Sequence, residues 1–185
     1  MELYDPNSHH RRSIRLKEYD YSQLGLYFIT ICTQNKEHRL GEIKNDTMVL
    51  NECGQIAHDE WFKLPLRFYI EKPDVFVVMP NHIHGIIQIV KAPLAGARND
   101  DAGVCVNRAP ARGAPTTIIG DIVGAYKSLV SNKCLNVYKL KNMKMGKLWQ
   151  RNYYEHIIRS EKEYLETSEY ILNNSINWQK DKYYD

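Results

Sequence analysis

Residues 79–89 read MPNHIHGIIQI, and this stretch decides the fold prediction. A Pro-Asn turn signal precedes a run rich in isoleucine, which predicts a strand that begins near His82. Successive side chains of a strand point to opposite faces, so His82, His84, Ile86 and Gln88 lie on the same face. The two imidazoles therefore point the same way from one face of a sheet, about 6–7 Å apart along the strand.

The preceding segments predict two further strands and a helix. Residues 24–34 (LGLYFITICTQ) and 75–79 (VFVVM) are rich in β-branched and aromatic residues, which favours strands. Between them, apolar residues at helical spacing predict a helix of about three to four turns, with Asn51 as its N-cap and Pro65 as its stop.

The following segments predict a connection and two more helices. Residues 92–117 are dominated by Ala, Gly, Pro, Asp and Arg, which predicts a flexible connection. A helix is expected over 116–135, followed by a basic irregular segment over 137–160. A last helix begins at Ser160, where Ser160 and Glu163 form a capping box. This order predicts a single α+β domain with helices packed on a ferredoxin-like antiparallel sheet.

The charge distribution predicts a polyanionic partner. The formal net charge is only +3, but residues 108–151 contain nine basic residues and one acidic residue, Asp121. A concentrated basic segment favours nucleic acid binding, although an ordinary solvated surface gives the same composition. No apolar run is long enough to span a bilayer, and the N-terminus lacks the apolar region of a signal peptide, which predicts a cytoplasmic protein without a membrane partner. Four scattered cysteines suggest neither disulfides nor a zinc knuckle.

The histidine pair has two interpretations on spacing alone. His82 and His84 either bind one metal ion or form hydrogen bonds on a half-exposed sheet face. A metal site needs a further ligand, and the candidates are His58, His156, Gln88 and the polar residues of the last helix. In that helix Tyr170 and Asn174 are four residues apart and share a face, so a phenol and an amide could act together.

Four blocks of the chain resemble a known family. They are MPNHIHGIIQI, WQRNYYEHIIR (149–159), EYILNN (169–174) and the arm RRSIRLKEYDYSQLGLYFITICTQ (11–34). Together they resemble the REP-associated tyrosine transposases, relatives of the insertion-sequence transposases that carry one catalytic tyrosine and an HUH metal site. The resemblance extends over nearly the whole chain, apart from 92–117.

This resemblance implies an HUH endonuclease domain that cuts single-stranded DNA beside a hairpin through a covalent 5′-phosphotyrosine. It implies that His82 and His84 hold Mg²⁺ or Mn²⁺, that Asn174 completes the metal site and that Tyr170 is the nucleophile. Ser175 stands where the family usually has proline, which changes the end of the helix but removes no ligand. Tyr153 and Tyr154 are rival tyrosines that lack the Y-I-x-x-N context.

The same resemblance places DNA on the basic segment and the N-terminal arm. Cationic side chains can follow phosphates while aromatic rings stack on unpaired bases. The residues expected to bind DNA are Arg11, Arg12, Arg15, Lys139, Lys141, Lys144, Lys147, Trp149, Arg151, Tyr153 and Tyr154. A buried position in the core is the alternative for Trp149. The expected partner is single-stranded DNA with a hairpin, bound by a monomer or a homodimer. A catalytically silent hairpin-binding protein and a zinc-stabilised structural domain are the competing functions.

Overall fold

The computed structural model describes residues 24–90 and 118–184. Arg11, Arg12 and Arg15 of the N-terminal arm, and the predicted connection 92–117, lie outside the described residues. The described chain contains six strands and three α-helices. In chain order these are β1 (Gly25–Cys32), β2 (Gly41–Lys44), β3 (Thr47–Leu50), α1 (Glu52–Phe62), β4 (Phe76–Val78), β5 (His82–Ile89), α2 (Ile118–Leu140), β6 (Tyr154–Ile158) and α3 (Glu161–Leu172).

Four strands form one antiparallel sheet in the order β4-β5-β1-β6. With β2 and β3 set aside as a separate hairpin, the chain runs strand, helix, strand, strand, helix, strand. The second and third of these strands, β4 and β5, pair directly. The first strand, β1, lies beside β5 at the centre of the sheet, and the last strand, β6, pairs with β1 at the edge opposite β4. This is the ferredoxin-like arrangement, and it confirms the α+β prediction.

The helices α1 and α2 cover one face of the sheet. Buried residues of β1 and β5, including Ile29 and Ile83, form the main core with side chains of both helices. Trp61 of α1 stacks on Phe76 with ring centroids 4.6 Å apart. Gly85 lies beneath this stack, where a Cβ atom would lie 2.4 Å from the Trp61 ring, so the position requires glycine.

The third helix packs against the opposite face, which is the face of the histidines. Ile171 of α3 is fully buried in a second cluster with Phe28, Ile86 and Ile158. The even-numbered residues of β1 and β5 therefore lie beneath α3, as the alternation predicts. The part of the histidine face around Phe28 and Ile86 is thus covered by a helix, and both histidines are buried.

Two local predictions hold and one changes in detail. The Asn51 side chain accepts a hydrogen bond from Gly54 N (2.9 Å), and the Ser160 hydroxyl accepts one from Glu163 N (3.2 Å), so both predicted N-caps are confirmed. The Glu163 carboxylate reaches back as expected, but it accepts from Arg159 N instead of the N-cap amide.

Two chain segments differ from what the sequence analysis gave for them. Residues 41–50 were not predicted as regular structure, but they form the β2–β3 hairpin around Asn45 and Asp46. The helix α2 continues to Leu140, five residues beyond its predicted end, so Lys139 belongs to a helix and not to an irregular segment. The segment after α2 then pairs with the end of β1 through a bridge between Thr33 and Trp149 before β6 begins.

Candidate active site

His82 and His84 meet on the buried face of β5. Both side chains are fully buried, and their Nε2 atoms lie 3.0 Å apart. The side chains converge, since this distance is much shorter than the spacing of the residues along the strand. Two ligands at right angles on one ion, each about 2.1 Å from it, are about 3.0 Å apart. The pair is therefore already arranged as two neighbouring ligands of a single cation.

The outer ring nitrogens are held by neighbouring polar groups. Asn81 Nδ2 donates to the Tyr183 carbonyl (2.8 Å), so Asn81 Oδ1 accepts from His82 Nδ1 (2.8 Å). His84 Nδ1 lies 2.8 Å from Thr30 Oγ1. The Asn81 oxygen selects the His82 tautomer whose Nε2 carries a lone pair, as is usual for metal-binding histidines, and the Thr30 hydroxyl, which can donate or accept, is compatible with the same tautomer of His84.

Burial keeps both imidazoles neutral. It lowers the pKa of His82 to about 4, and it lowers the pKa of His84 well below its ordinary value, with the neighbouring His82 adding to the effect. In the tautomer in which His84 Nδ1 donates to Thr30, two nitrogen lone pairs face each other at 3.0 Å. A cation placed between them would stabilise this arrangement, so the residues present fit a metal ion.

Asp181 adds a carboxylate that the sequence analysis did not identify. Among the described residues, possible ligand atoms of His82, His84 and Asp181 all lie within 4.8 Å of one another. Asp181 Oδ2 accepts hydrogen bonds from the Tyr170 hydroxyl (2.9 Å) and from Asn174 Nδ2 (2.7 Å). Asp181 Oδ1 accepts from Tyr183 N (2.7 Å), which orients the carboxylate.

The predicted tyrosine and asparagine both reach the histidine pair. The Tyr170 hydroxyl lies 3.2 Å from His84 Nε2, and the side chain remains 40% exposed. Burial and the charge of Asp181 raise the pKa of Tyr170. Because α3 ends at Leu172, Asn174 lies in the turn beyond the helix, and not on the helical face shared with Tyr170 as predicted. Asn174 Oδ1 is buried and accepts no hydrogen bond from the described residues, which suits an oxygen ligand of a cation.

The remaining candidate ligands lie elsewhere. His58 is on α1, on the opposite face of the sheet, beside Asp59. His156 shares the histidine face but binds Glu163 Oε1 at 2.5 Å. Gln88 is exposed near the far end of β5, about 20 Å from His82 along the strand. The structure brings none of these three to the histidine pair.

The two rival tyrosines point in different directions. Tyr154 lies on the histidine face, because Thr30 pairs with His84 on one side and with Tyr154 on the other. Its ring packs edge-on against Phe28, with centroids 6.1 Å apart. Tyr153 instead packs against the main core, and Lys127 Nζ lies 5.6 Å from its ring centroid. Of these three tyrosines, Tyr170 is the one whose hydroxyl oxygen lies 3.2 Å from a histidine nitrogen of the pair, His84 Nε2.

The predicted DNA-binding residues differ in exposure. Lys139, Lys144, Lys147 and Arg151 are exposed, and Lys141 forms an ion pair with Glu52. Trp149 is only 4% exposed and packs near Tyr126, so the alternative of a core position describes it, and its ring offers no open face for a base. Lys127 was not among the residues predicted to bind DNA. Its ammonium group donates to the carbonyl oxygens of residues 150, 151 and 152 and so holds this basic segment in place.

The residues after α3 close one side of the site. The ring of Tyr183 lies 4.7 Å from that of His82 between centroids, and the ring of Trp178 lies 5.9 Å away. Burial raises the pKa of Tyr183 to about 12. Lys182 Nζ lies 5.2 Å from the Tyr154 ring, so a positive charge stands beside the exposed part of the histidine face.

Comparisons with known proteins found similarity both in sequence and in structure. An uncharacterized protein of Haemophilus influenzae is 45% identical over 181 residues, which cover 98% of this chain and 97% of the relative. A solved structure of a REP-associated tyrosine transposase bound to a REP hairpin matches with a TM-score of 0.56 and 18% identity, over 91% of this chain and 76% of that chain. No family model matches the sequence. Among the described residues no helix is long and apolar enough to cross a bilayer.

Proposed function

We propose that this chain, which belongs to the same family as the uncharacterized Haemophilus influenzae protein, is a metal-dependent single-stranded DNA endonuclease and strand transferase that acts beside hairpins. The observation that carries the proposal is the contact of a half-exposed tyrosine hydroxyl, that of Tyr170, with a buried pair of converging histidines. The likeness in fold to a REP-associated tyrosine transposase supports the same reaction class.

His82 and His84 would hold Mg²⁺ or Mn²⁺ through Nε2, with Asn174 Oδ1 and the Asp181 carboxylate as oxygen ligands. The mixture of imidazole and oxygen donors suits such ions, and the unpaired buried amide oxygen of Asn174 gains a partner on binding. When bound, the ion supplies positive charge that polarises the scissile phosphate.

In the proposed reaction, Tyr170 is the nucleophile. Its oxygen attacks the phosphorus, the bond to the 3′-oxygen breaks, and the products are a 5′-phosphotyrosine and a free 3′-hydroxyl. Asp181 Oδ2 already accepts the hydrogen bond of the tyrosine hydroxyl, so it is placed to take the proton. A 3′-hydroxyl of another strand can reverse the step, and no nucleoside triphosphate is required because the bond energy is retained.

The exposed cations at the end of α2 and in the segment after it would provide the DNA-binding surface in this proposal. Lys139, Lys144, Lys147 and Arg151 would contact phosphates, and Lys182 would extend this surface to the histidine face. A zinc-stabilised structural domain fits less well. Among the described residues only Asp181 joins the histidines as a potential His, Cys, Asp or Glu ligand, which leaves such a site open.

The test is covalent capture of a labelled oligonucleotide that carries a hairpin and a single-stranded flank. With Mg²⁺ or Mn²⁺ the wild-type protein is expected to form an adduct that survives denaturing electrophoresis, and a chelator should suppress it. Tyr170→Phe should form none, whereas Tyr154→Phe, on the same sheet face, should retain adduct formation. Hairpin binding without an adduct would support the catalytically silent alternative, and an adduct in Tyr170→Phe would assign the nucleophile elsewhere.

A further inference from the structure

A separate cavity of about 420 Å³ lies next to the histidine pair, between the β2–β3 hairpin and the residues that follow α3. Its size is within the range of about 300–1,000 Å³ that is usual for small-ligand sites. Pro80, two residues before His82, lines it together with Trp178. The Trp178 ring lies 5.9 Å from that of His82, so one side chain separates the cavity from the proposed metal site.

The cavity combines aromatic and polar walls. His38 and Tyr184 flank Trp178, with ring centroids 5.8 and 5.3 Å from it. Glu42 and Asp46 of the hairpin also line the cavity with exposed carboxylates, of which Glu42 pairs with Lys44 at 2.6 Å, and Lys180 adds a cation to the lining. The exposed rings of His38 and Tyr184, and not the buried ring of Trp178, provide stacking surfaces, and carboxylates provide hydrogen-bond acceptors without donors.

The hairpin holds its carboxylates in defined positions. Asn45 and Asp46 both have positive φ (50° and 58°), the backbone of a two-residue type I′ turn. Gly41 allows the two strands to approach, since a Cβ atom there would lie 2.1 Å from the Val49 oxygen. Leu40 N donates to the Pro80 carbonyl (3.0 Å), which fastens the base of the hairpin to the turn before His82.

We infer that this cavity binds one unpaired nucleobase of the DNA beside the scissile phosphate and selects bases that carry an exocyclic amino group. The inference rests on the proposed function and adds the chemical basis of its sequence preference. The exposed rings of the cavity can stack on a base, and Lys180 offers a cation to the phosphate of that nucleotide. Carboxylates accept hydrogen bonds from the amino groups of cytosine, adenine and guanine, and thymine has no such group.

The experiment uses a pool of hairpin oligonucleotides whose single-stranded flank is randomised. The bound fraction is sequenced for wild type, for Glu42→Gln with Asp46→Asn, and for the control Asp59→Asn on α1, a matched removal of one exposed carboxylate far from the cavity. Asparagine is well tolerated at positive φ, so Asp46→Asn is compatible with the turn.

Wild type and the control should disfavour thymine at one flank position by about 5- to 150-fold. The double variant should lose this discrimination at that position alone while still selecting the hairpin. An unchanged profile in the double variant, or no position that discriminates against thymine, would overturn the inference and leave the proposed function standing. Failure of the wild-type protein to enrich any hairpin DNA would instead refute the proposed function, and the inference with it.

Discussion

Asn81→Ala should weaken metal binding more than its effect on stability explains. Asn81 is fully buried and bridges the Tyr183 carbonyl to His82 Nδ1. Its removal leaves both groups without this partner, which costs about 1–3 kcal/mol of stability. It also frees the orientation and the tautomer of His82. Loss of such an outer contact typically lowers metal affinity by about 10- to 100-fold.

The size of this effect can be read from thermal or urea unfolding with Mn²⁺. At an ion concentration of about 100 times the wild-type Kd, binding stabilises the folded protein by about 2.7 kcal/mol. A 10- to 100-fold weaker variant at the same concentration gains only about 0.4–1.4 kcal/mol. The metal-dependent part of the free energy of unfolding should therefore fall by about half or more, on top of the metal-independent loss.

Asn51→Ala is the matched control for this experiment. It makes the same substitution at the N-cap of α1, where the side chain contacts Gly54 N and the Arg39 carbonyl. The loss of this cap costs about 0.5–2 kcal/mol but touches no group of the site. Equal Mn²⁺-dependent stabilisation in Asn81→Ala and Asn51→Ala would refute the reasoning that Asn81 prepares His82 for a metal.

Two further predictions concern stability. Gly85→Ala should destabilise the protein by about 1–3 kcal/mol in urea unfolding, because its Cβ would collide with Trp61. Gly124→Ala in α2, where nothing lies within 4 Å of the added Cβ, should instead stabilise it by about 0.5–1 kcal/mol. Effects of the opposite sign would contradict the packing described. Burial lowers the pKa of Lys127 to about 8, so between pH 8 and 10.5 the unfolded chain binds more protons at this residue and the free energy of unfolding rises with pH. Wild type should show a slope in this window that is more positive than that of Lys127→Met, by at most about 1.4 kcal/mol per pH unit, and identical slopes would argue against the shift.

The parts of the fold that were predicted correctly depend on local patterns. Alternation identified β5 and the shared face of the histidines, and the side chains of Asn51 and Ser160 fixed the starts of α1 and α3. The β2–β3 hairpin was not predicted because each of its strands has only four residues and alternates between partly buried and exposed positions. Asn45 and Asp46 were a usable turn signal, since short polar residues favour the positive φ of a type I′ turn.

The end of α2 was misplaced for a different reason. The segment after Leu135 is polar and basic, so its composition resembles a loop. In the structure its first turn is supported by Tyr138, which packs against the main core, and Asn142 with a positive φ of 55° follows the helix. Tertiary packing thus overrides the local composition at this point. The same limit applies to Trp149, whose burial depends on a bridge to Thr33 that lies far away in sequence.

The carboxylate of Asp181 was missed because its position depends on contacts that are distant in sequence. Asp181 follows the short 3₁₀ helix Trp178–Lys180, and no motif in the preceding residues specifies where that turn leads. Its place is set by hydrogen bonds from Tyr170 and Asn174, which themselves depend on the end of α3. An acidic residue shortly after a Y-I-x-x-N segment was the available signal, but spacing alone does not separate it from an ordinary surface aspartate.

The nucleophile of the proposed reaction is positioned by its apolar neighbour. Ile171 is fully buried against Phe28, Ile86 and Ile158, while the adjacent Leu172 is 62% exposed. This contact fixes the rotation of α3 about its axis, because successive residues of a helix are about 100° apart. With Ile171 directed into the cluster, Tyr170 falls beside His84, and its ring meets Phe28 edge-on at 6.2 Å. Packing between α3 and the sheet therefore decides the distance between Tyr170 and the histidine pair, because Tyr170 and the buried Ile171 are adjacent in the chain.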